Sequence, residues 1–305
     1  MLLFQQTLIL FLLILVGLVS RKTQLITDEV CHKLSAIVVY IANPALILSS
    51  GMGGIASDIG GAALAAALGL ACALFAAVIA VGYLLPPVLR AGKSEAGVYR
   101  VMTSFSNIGF MGLPLVSAVY GGEAVLYMSL FLLPYNVLIY TYGIKVLKRP
   151  GEKKKKFHLG QVLNIGVIAC IATVALHLLR LEPPAFIGEA VRHLSGLSAP
   201  LSMMVIGASL VAIDFKRLLT DVRLLAFSAV KLLVIPIAAM LVVKRFIPGE
   251  LLRGVCLVVL ATPVGSMTAM LAREYGSDYE LAAKGVALTT LLSVVTIPLV
   301  SELVR

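Results

Sequence analysis

The chain has 305 residues, 60% of them hydrophobic and 13% charged, with a formal net charge of +10. A soluble domain is usually near half apolar and a quarter charged, so a chain this apolar cannot cover itself with a polar surface and takes lipid as its solvent. The basic residues lie in short segments between apolar runs, which excludes a nucleic-acid reading surface and assigns them to orientation in a membrane.

Stretches long enough to cross a bilayer, roughly 17 to 25 residues, predict ten spans. They run at about 2–19, 33–51, 61–88, 99–119, 123–146, 160–179, 193–213, 222–243, 252–272 and 281–303. The first follows "MLLFQQ", which has no basic n-region, and Arg21 and Lys22 come after it. That order predicts an uncleaved first helix with its N-terminus on the non-cytoplasmic side. Pro86 and Pro87 close the long third span, which is expected to tilt or stop early. No segment between spans is long enough to bury a core of its own, so the expected fold is all-α and polytopic, with no appended enzymatic or sensory domain.

Most of the Lys and Arg residues fall in the odd-numbered loops, among them Arg21, Lys22, Arg90, Lys93, Arg100, Lys216, Arg217, Arg223, Arg273 and Lys284. The even-numbered side holds Arg180, Arg192, Lys244, Arg245, Arg253 and Arg305. This asymmetry puts the odd loops in the cytoplasm and both termini outside. The densest run, "KVLKRPGEKKKKFH", reads as a solvated linker and orientation signal, with anionic lipid headgroups as the other reading.

That run falls midway and divides the chain into 1–155 and 156–305. The halves share weak echoes. "HKLSAIVVYIANPALILSS" and "RHLSGLSAPLSMMVIGASL" each set Leu-Ser before an apolar run, and "SAVYGGEAV" and "LAREYGSDYELA" each put Tyr-Gly after the fourth span of their half. Five spans per half would turn the second repeat upside down, an architecture common among secondary transporters.

Cys31, Cys72, Cys170 and Cys256 are scattered singly, and His32, His158, His177 and His193 lack ligand-like spacing. Neither a metal site nor a disulfide framework is expected, and nothing calls for a cofactor. Paired catalytic groups, a phosphate loop and a nucleophile with a base are missing as well, so the reading is not an enzyme.

The chemistry concentrates in two apolar spans that hold helix breakers. "SNIGFMGLPLVSAVYGG" has Ser106, Asn107, Gly109, Gly112 and Pro114; "VLATPVGSMTAMLAREYG" has Thr262, Pro263, Gly265 and Ser266 at matching depth. Proline lacks an N–H and clashes with the preceding turn, and glycine weakens a helix by about 1 kcal/mol. Unwound backbone inside a membrane is tolerated only when buried in protein or lining a wet cavity. Two half-helices would then offer unpaired groups to a solute, and their N-terminal ends suit an anion.

The pattern "SNIGFMGLP…YG", then "NVLIYTYG", then "TPVG…YG", resembles the auxin efflux carrier family over essentially the whole chain. The resemblance implies the ten-helix fold related to bile-acid/sodium symporters, with helices 4 and 9 discontinuous and crossing. Helices 1, 2, 6 and 7 form a scaffold, and helices 3–5 and 8–10 move against it like an elevator. It implies a first crossover with Asn107, Ile108, Gly109, Gly112 and Pro114, and a second with Thr262, Pro263, Gly265 and Ser266. Asn136 matches a polar position in the fifth helix, and Asn43 and Pro44 the scaffold face of the pocket. Sodium-coupled relatives carry an acidic residue in the second crossover, and "TPVGSMTAM" has none, which favours proton coupling or uniport over sodium. A homodimer through the scaffold is also implied.

Lys231, in "AFSAVKLLVIP", is the one ionisable residue placed deep inside a span. A charge at the bilayer centre costs about 2.5 to 3.5 kcal/mol on insertion scales. Three readings stand: the ammonium neutralises a bound anion, it props the crossover by bonding freed carbonyls, or it snorkels to an interface. Asp58, just before the third span, is a weaker candidate partner for protons or ion pairs. Tyr135, Tyr140 and Tyr142 are candidates for pocket lining or interface packing. The expected activity is transport of a small organic anion, a carboxylate such as malate or malonate or an auxin-like acid. The rivals are a sodium-coupled symporter of the same fold and a gated channel or sensor.

Overall fold

In the computed structural model the described residues are 2–52, 59–148, 159–211, 218 and 220–304, and they are helical with no strand beyond one isolated bridge. In chain order the helices are α1 (Leu2–Lys22), α2 (Asp28–Ile37), α3 (Asn43–Gly51), α4 (Gly61–Val88), α5 (Lys93–Ser104), α6 (Leu113–Leu138), α7 (Ile144–Leu147) and α8 (Leu159–Val162). There follow α9 (Ile165–Leu178), α10 (Ala185–Ser195), α11 (Ser198–Leu210), α12 (Val222–Ala229), α13 (Ile235–Phe246), α14 (Glu250–Ala261), α15 (Ser266–Glu274) and α16 (Tyr279–Leu303). Asp58 and most of the central basic run lie outside the described residues.

Seven helical runs among the described residues are long and apolar enough to cross a membrane. They are Phe4–Lys22, Asp28–Gly51, Gly61–Val88, Ile108–Leu147, Ala185–Leu210, Val222–Phe246 and Tyr279–Leu303. The stretches expected at 99–119 and 252–272 are each divided: α5 stops at Ser104 before the chain turns helical again at Ile108, and α14 stops at Ala261 before α15 starts at Ser266. Ile165–Leu178 is apolar but shorter. Within Ile108–Leu147 the path bends at Gly121, whose φ of 79° lies where only glycine sits without strain.

Four π-helical turns interrupt these rods: Val38–Ala42, Ile108–Gly112, Ile139–Gly143 and Val230–Val234. Three of them have a local cause. Each ends two residues before a proline, Pro44, Pro114 or Pro236. A proline ring clashes with the carbonyl four residues back, here Tyr40, Phe110 or Leu232, and a widened turn relieves that clash. The turn at 139–143 has no proline behind it; we have no physical account of that one.

Helix contacts follow membrane rules rather than aqueous ones. α1 lies along α11, and a Cβ on Gly17 would strike the Met204 backbone, while one on Gly207 would strike that of Ile14. Small residues let the two backbones touch, which supplies the van der Waals packing that replaces the hydrophobic effect in lipid. Large apolar side chains such as Leu12, Leu84, Leu179, Phe186, Leu241 and Val295 are exposed, as a lipid-facing surface requires.

Glu95, just before the fourth expected span, pairs with Arg223, at the start of the eighth, at 2.8 Å. His177, near the end of the sixth, meets the Ile59 carbonyl, just before the third, at 2.7 Å. A cavity of about 320 Å³ is lined by Tyr120, Lys244, Glu250, Arg253 and Val304, which come from two even-numbered connections and the end of the last helix.

Candidate functional site

The two helix breaks meet. Asn107 donates its backbone N–H to the Pro263 carbonyl at 2.7 Å, and Gly265 donates its N–H to the Phe105 carbonyl at 2.9 Å. These bonds pair Ser106 with Val264 in an isolated antiparallel bridge. Backbone groups that lost their helical partners thus satisfy one another, which is what a dry interior demands of them. Gly265 is needed for the approach: a Cβ there would sit 3.0 Å from the Tyr135 hydroxyl, 3.1 Å from Ser106 O and 3.2 Å from Phe105 O. Phe105 in turn packs edge-on against the Tyr135 ring.

Each resumed helix has its N-terminal end at a cavity of about 190 Å³. From the first come Asn107, Gly109 and Phe110, and from the second Ser266 and Met267. Asn107 caps its own segment by accepting the Phe110 N–H on Oδ1 at 3.3 Å. The remaining wall holds Tyr40, Asn43 and Ile47, then Tyr135, Asn136 and Tyr140, then Asn164 and Gly166. Among the described residues no charged side chain lines the cavity. Three of the four π-helical turns border it, through Val39 and Tyr40, Gly109 and Phe110, and Ile139 and Tyr140.

Four asparagines converge here, and three of them tie separate elements together. Asn43 donates from Nδ2 to the Gly109 carbonyl at 3.0 Å and accepts the Ser198 hydroxyl on Oδ1 at 2.6 Å. Asn136 donates to the Leu132 carbonyl on its own helix and accepts from Asn164 Nδ2 at 2.8 Å. Asn164 also caps α9 by accepting the Val167 N–H at 3.1 Å. A side-chain amide holds donor and acceptor on one planar head, so such a wall offers neutral donors to a solute without carrying a charge.

Of the residues singled out from sequence, Asn43, Asn107, Gly109, Asn136 and Ser266 line the cavity. Ile108, Gly112, Pro114, Pro44, Thr262, Pro263 and Gly265 do not; all are buried, Pro44 in α3 and the rest at the breaks, with Pro263 and Gly265 within the pairing itself. Tyr135 and Tyr140 line the cavity, whereas Tyr142 packs at a tilt against Tyr83 and Phe105. Sequence reasoning passed over Asn164 and Tyr40. Asn164 had a legible signal, a side-chain cap directly before an apolar run; Tyr40 had none.

Lys231 is 1% exposed and lies in the π-helical turn Val230–Val234, away from the cavity wall. Its ammonium donates to the Thr103 carbonyl at 3.0 Å and to Ser106 Oγ at 2.8 Å. It neither snorkels nor meets the space a solute would fill. It reaches the C-terminal end of α5. At the second break the corresponding polar partner is neutral: Val264 donates its N–H to Thr289 Oγ1 at 3.0 Å.

The described residues thus form a polytopic helical membrane protein with paired helix breaks beside a cavity lined by asparagines, tyrosines and apolar side chains. The chain belongs to the membrane transport protein family, which it matches over residues 2–301, so the resemblance to auxin efflux carriers stands and the protein is a transporter rather than an enzyme. A "Putative malonate transporter" of Rhizobium meliloti (strain 1021) is 24% identical over 304 residues, covering 97% of this chain and 93% of the relative. An uncharacterized transporter of Methanocaldococcus jannaschii is 27% identical over 303 residues, covering 96% of each chain. Another, of Methanothermobacter thermautotrophicus, is 23% identical over 287 residues, covering 94% of this chain and 93% of the relative.

Proposed function

We propose that the protein is a secondary carrier for a small organic anion, a carboxylate of the malonate or malate kind, in a prokaryotic plasma membrane. The observation that carries this reading is the cavity at which two resumed helices present their N-terminal ends, with Asn43, Asn107, Asn136 and Asn164 in its wall and no carboxylate. Helix N-termini favour negative charge through their free N–H groups and dipole, and amide side chains add donors. A carboxylate would be held by hydrogen bonds rather than by a buried ion pair, which leaves it free to depart. The name of the Rhizobium relative agrees with a small dicarboxylate.

In this proposal the chain folds as two five-span repeats of opposite orientation, residues 1–155 and 156–305, and the broken fourth and ninth spans cross at the Ser106–Val264 bridge. The first, second, sixth and seventh spans form a scaffold, in which Gly17 packs on Met204 and Gly207 on Ile14 between the first and the seventh. The other six slide against that scaffold, which carries the cavity across the membrane in the manner of an elevator. Both termini face the non-cytoplasmic side, and two copies associate through the scaffold. Transport is a uniport or coupled to protons.

Uptake of labelled malonate into liposomes containing the purified protein tests the reading. A carrier saturates and shows counterflow, whereas a channel does neither. Malate and an indole-containing acid serve as competitors that rank small against aromatic carboxylates. Replacing sodium by choline leaves the flux unchanged for the proposed carrier and abolishes it for a sodium symporter. Absence of saturable flux for every carboxylate sinks the substrate class.

A further inference from the structure

In carriers built on broken helices, freed carbonyls and half-helix C-terminal ends coordinate the coupling cation. In this chain one such end is already occupied. Thr103 O, in the last turn of α5, and Ser106 Oγ, in the break itself, both accept from the Lys231 ammonium. The side chain is almost wholly enclosed. None of the ion pairs among the described residues includes it. Its charge is therefore compensated by backbone and hydroxyl oxygens and by the negative end of the α5 dipole.

We propose that Lys231 is a tethered cation standing in the place of an inorganic coupling ion, so that the first break is held in its paired geometry without sodium or potassium. The proposal rests on the carrier reading above and deepens it. Lysine is suited to the position. Its compact ammonium carries its donors on a long flexible stem, and the π-helical turn at 230–234 lets that stem reach Thr103 and Ser106 from a neighbouring span. Ser106 links the charge to the pairing, since its hydroxyl accepts from Lys231 while its backbone forms the bridge to Val264. Lys231 is thus a positioning residue: it does not line the cavity and acts through the segment that does.

Removing the side chain leaves a void beside unpaired oxygens. Lys231→Ala should convert the protein into one that needs a small free cation. Lys231→Met should not be rescued, because its thioether fills the void without charge. The test uses the purified full-length protein and thermal unfolding in sodium, ammonium or choline chloride at equal ionic strength. The wild type is expected to melt at the same temperature in all three salts. Lys231→Ala is expected to melt lower in choline and to recover by several degrees in ammonium or sodium, as any ligand that binds only the folded state requires. Lys231→Met is expected to stay low throughout.

A Lys231→Ala protein indifferent to the salt overturns the assignment, and so does equal recovery of Lys231→Met. Should Lys231→Ala fail to accumulate, the wild type still decides: stabilisation by sodium over choline means that a separate cation site exists and Lys231 is not its substitute. The measurement contains no substrate, so its failure is distinct from a failure to find carboxylate transport.

Discussion

The two helix breaks do the same mechanical work with different chemistry. Each stops a helix, runs extended for a few residues and resumes, and each satisfies the other's stranded backbone through Asn107 N–H to Pro263 O and Gly265 N–H to Phe105 O. Their outer partners differ. Around the first break lie a buried ammonium and two amide side chains, from Lys231, Asn107 and Asn43. Around the second lie neutral hydroxyls, from Thr289, which accepts the Val264 N–H, and Thr262, which donates to the Val259 carbonyl. The first break is therefore the polar half of the site, and the second is the close-packed half that brings Ser266 and Met267 to the cavity. Pairing alone does not require a charge, so the ammonium beside the first break answers a need that the second does not have.

Substituting glycine at each break sharpens that contrast most. Gly265→Val puts branched bulk within reach of the Tyr135 hydroxyl and two carbonyls. Overpacking of this kind costs about 1 to 3 kcal/mol, and we expect a clear fall in melting temperature together with loss of uptake. Gly109 has open space where a Cβ would go, so Gly109→Ala should melt like the wild type and still transport less, because the methyl enters the cavity. Equal destabilisation by the two would show that the breaks are packed alike.

Next in size is Thr289→Val. It removes the acceptor for the Val264 N–H inside the protein. An unsatisfied buried donor costs about 1 to 3 kcal/mol, so the melting temperature should fall while the substrate KM stays near its wild-type value. A changed KM with unchanged stability would assign the second break a direct part in binding.

Asn136→Leu tests the polar wall. It breaks the amide pair with Asn164 and removes a donor from the cavity. A several-fold rise in KM with little loss of stability is expected from flux measurements. The smallest effect is assigned to Arg223→Gln. Its pair with Glu95 is partly exposed, and such pairs contribute about 0 to 1 kcal/mol, so uptake and melting should change little. A large loss would make that contact part of the moving interface.

The two broken spans show how far the residues could be read in advance. Proline and glycine at corresponding places in two apolar runs announced the interruptions, because the physics of helix breaking is local. The depth of Lys231 was legible for the same reason: one charge in an apolar run is visible to any count. Its role was open among three readings, and the direction in which its side chain points was decided by a π-helical turn and by the neighbouring α5. Tyr40 and Asn164 joined the cavity only because distant segments pack beside one another. Seven runs stand against ten expected spans because the ninth is divided, the sixth is short at Ile165–Leu178, and the resumed part of the fourth runs on into the fifth as Ile108–Leu147.

Composition and breaker spacing alone established a lipid-solvated helical chain and the two places where its helices had to stop. Those properties depend on the residue and its near neighbours, through transfer free energy and through proline and glycine geometry. Tertiary structure decided which freed carbonyl meets which donor, that Lys231 serves the first break and not the cavity, and that four asparagines share one wall. Hydrogen bonds and close packing are pairwise and short-ranged in space but not in sequence, so their partners exist only once the segments have come together.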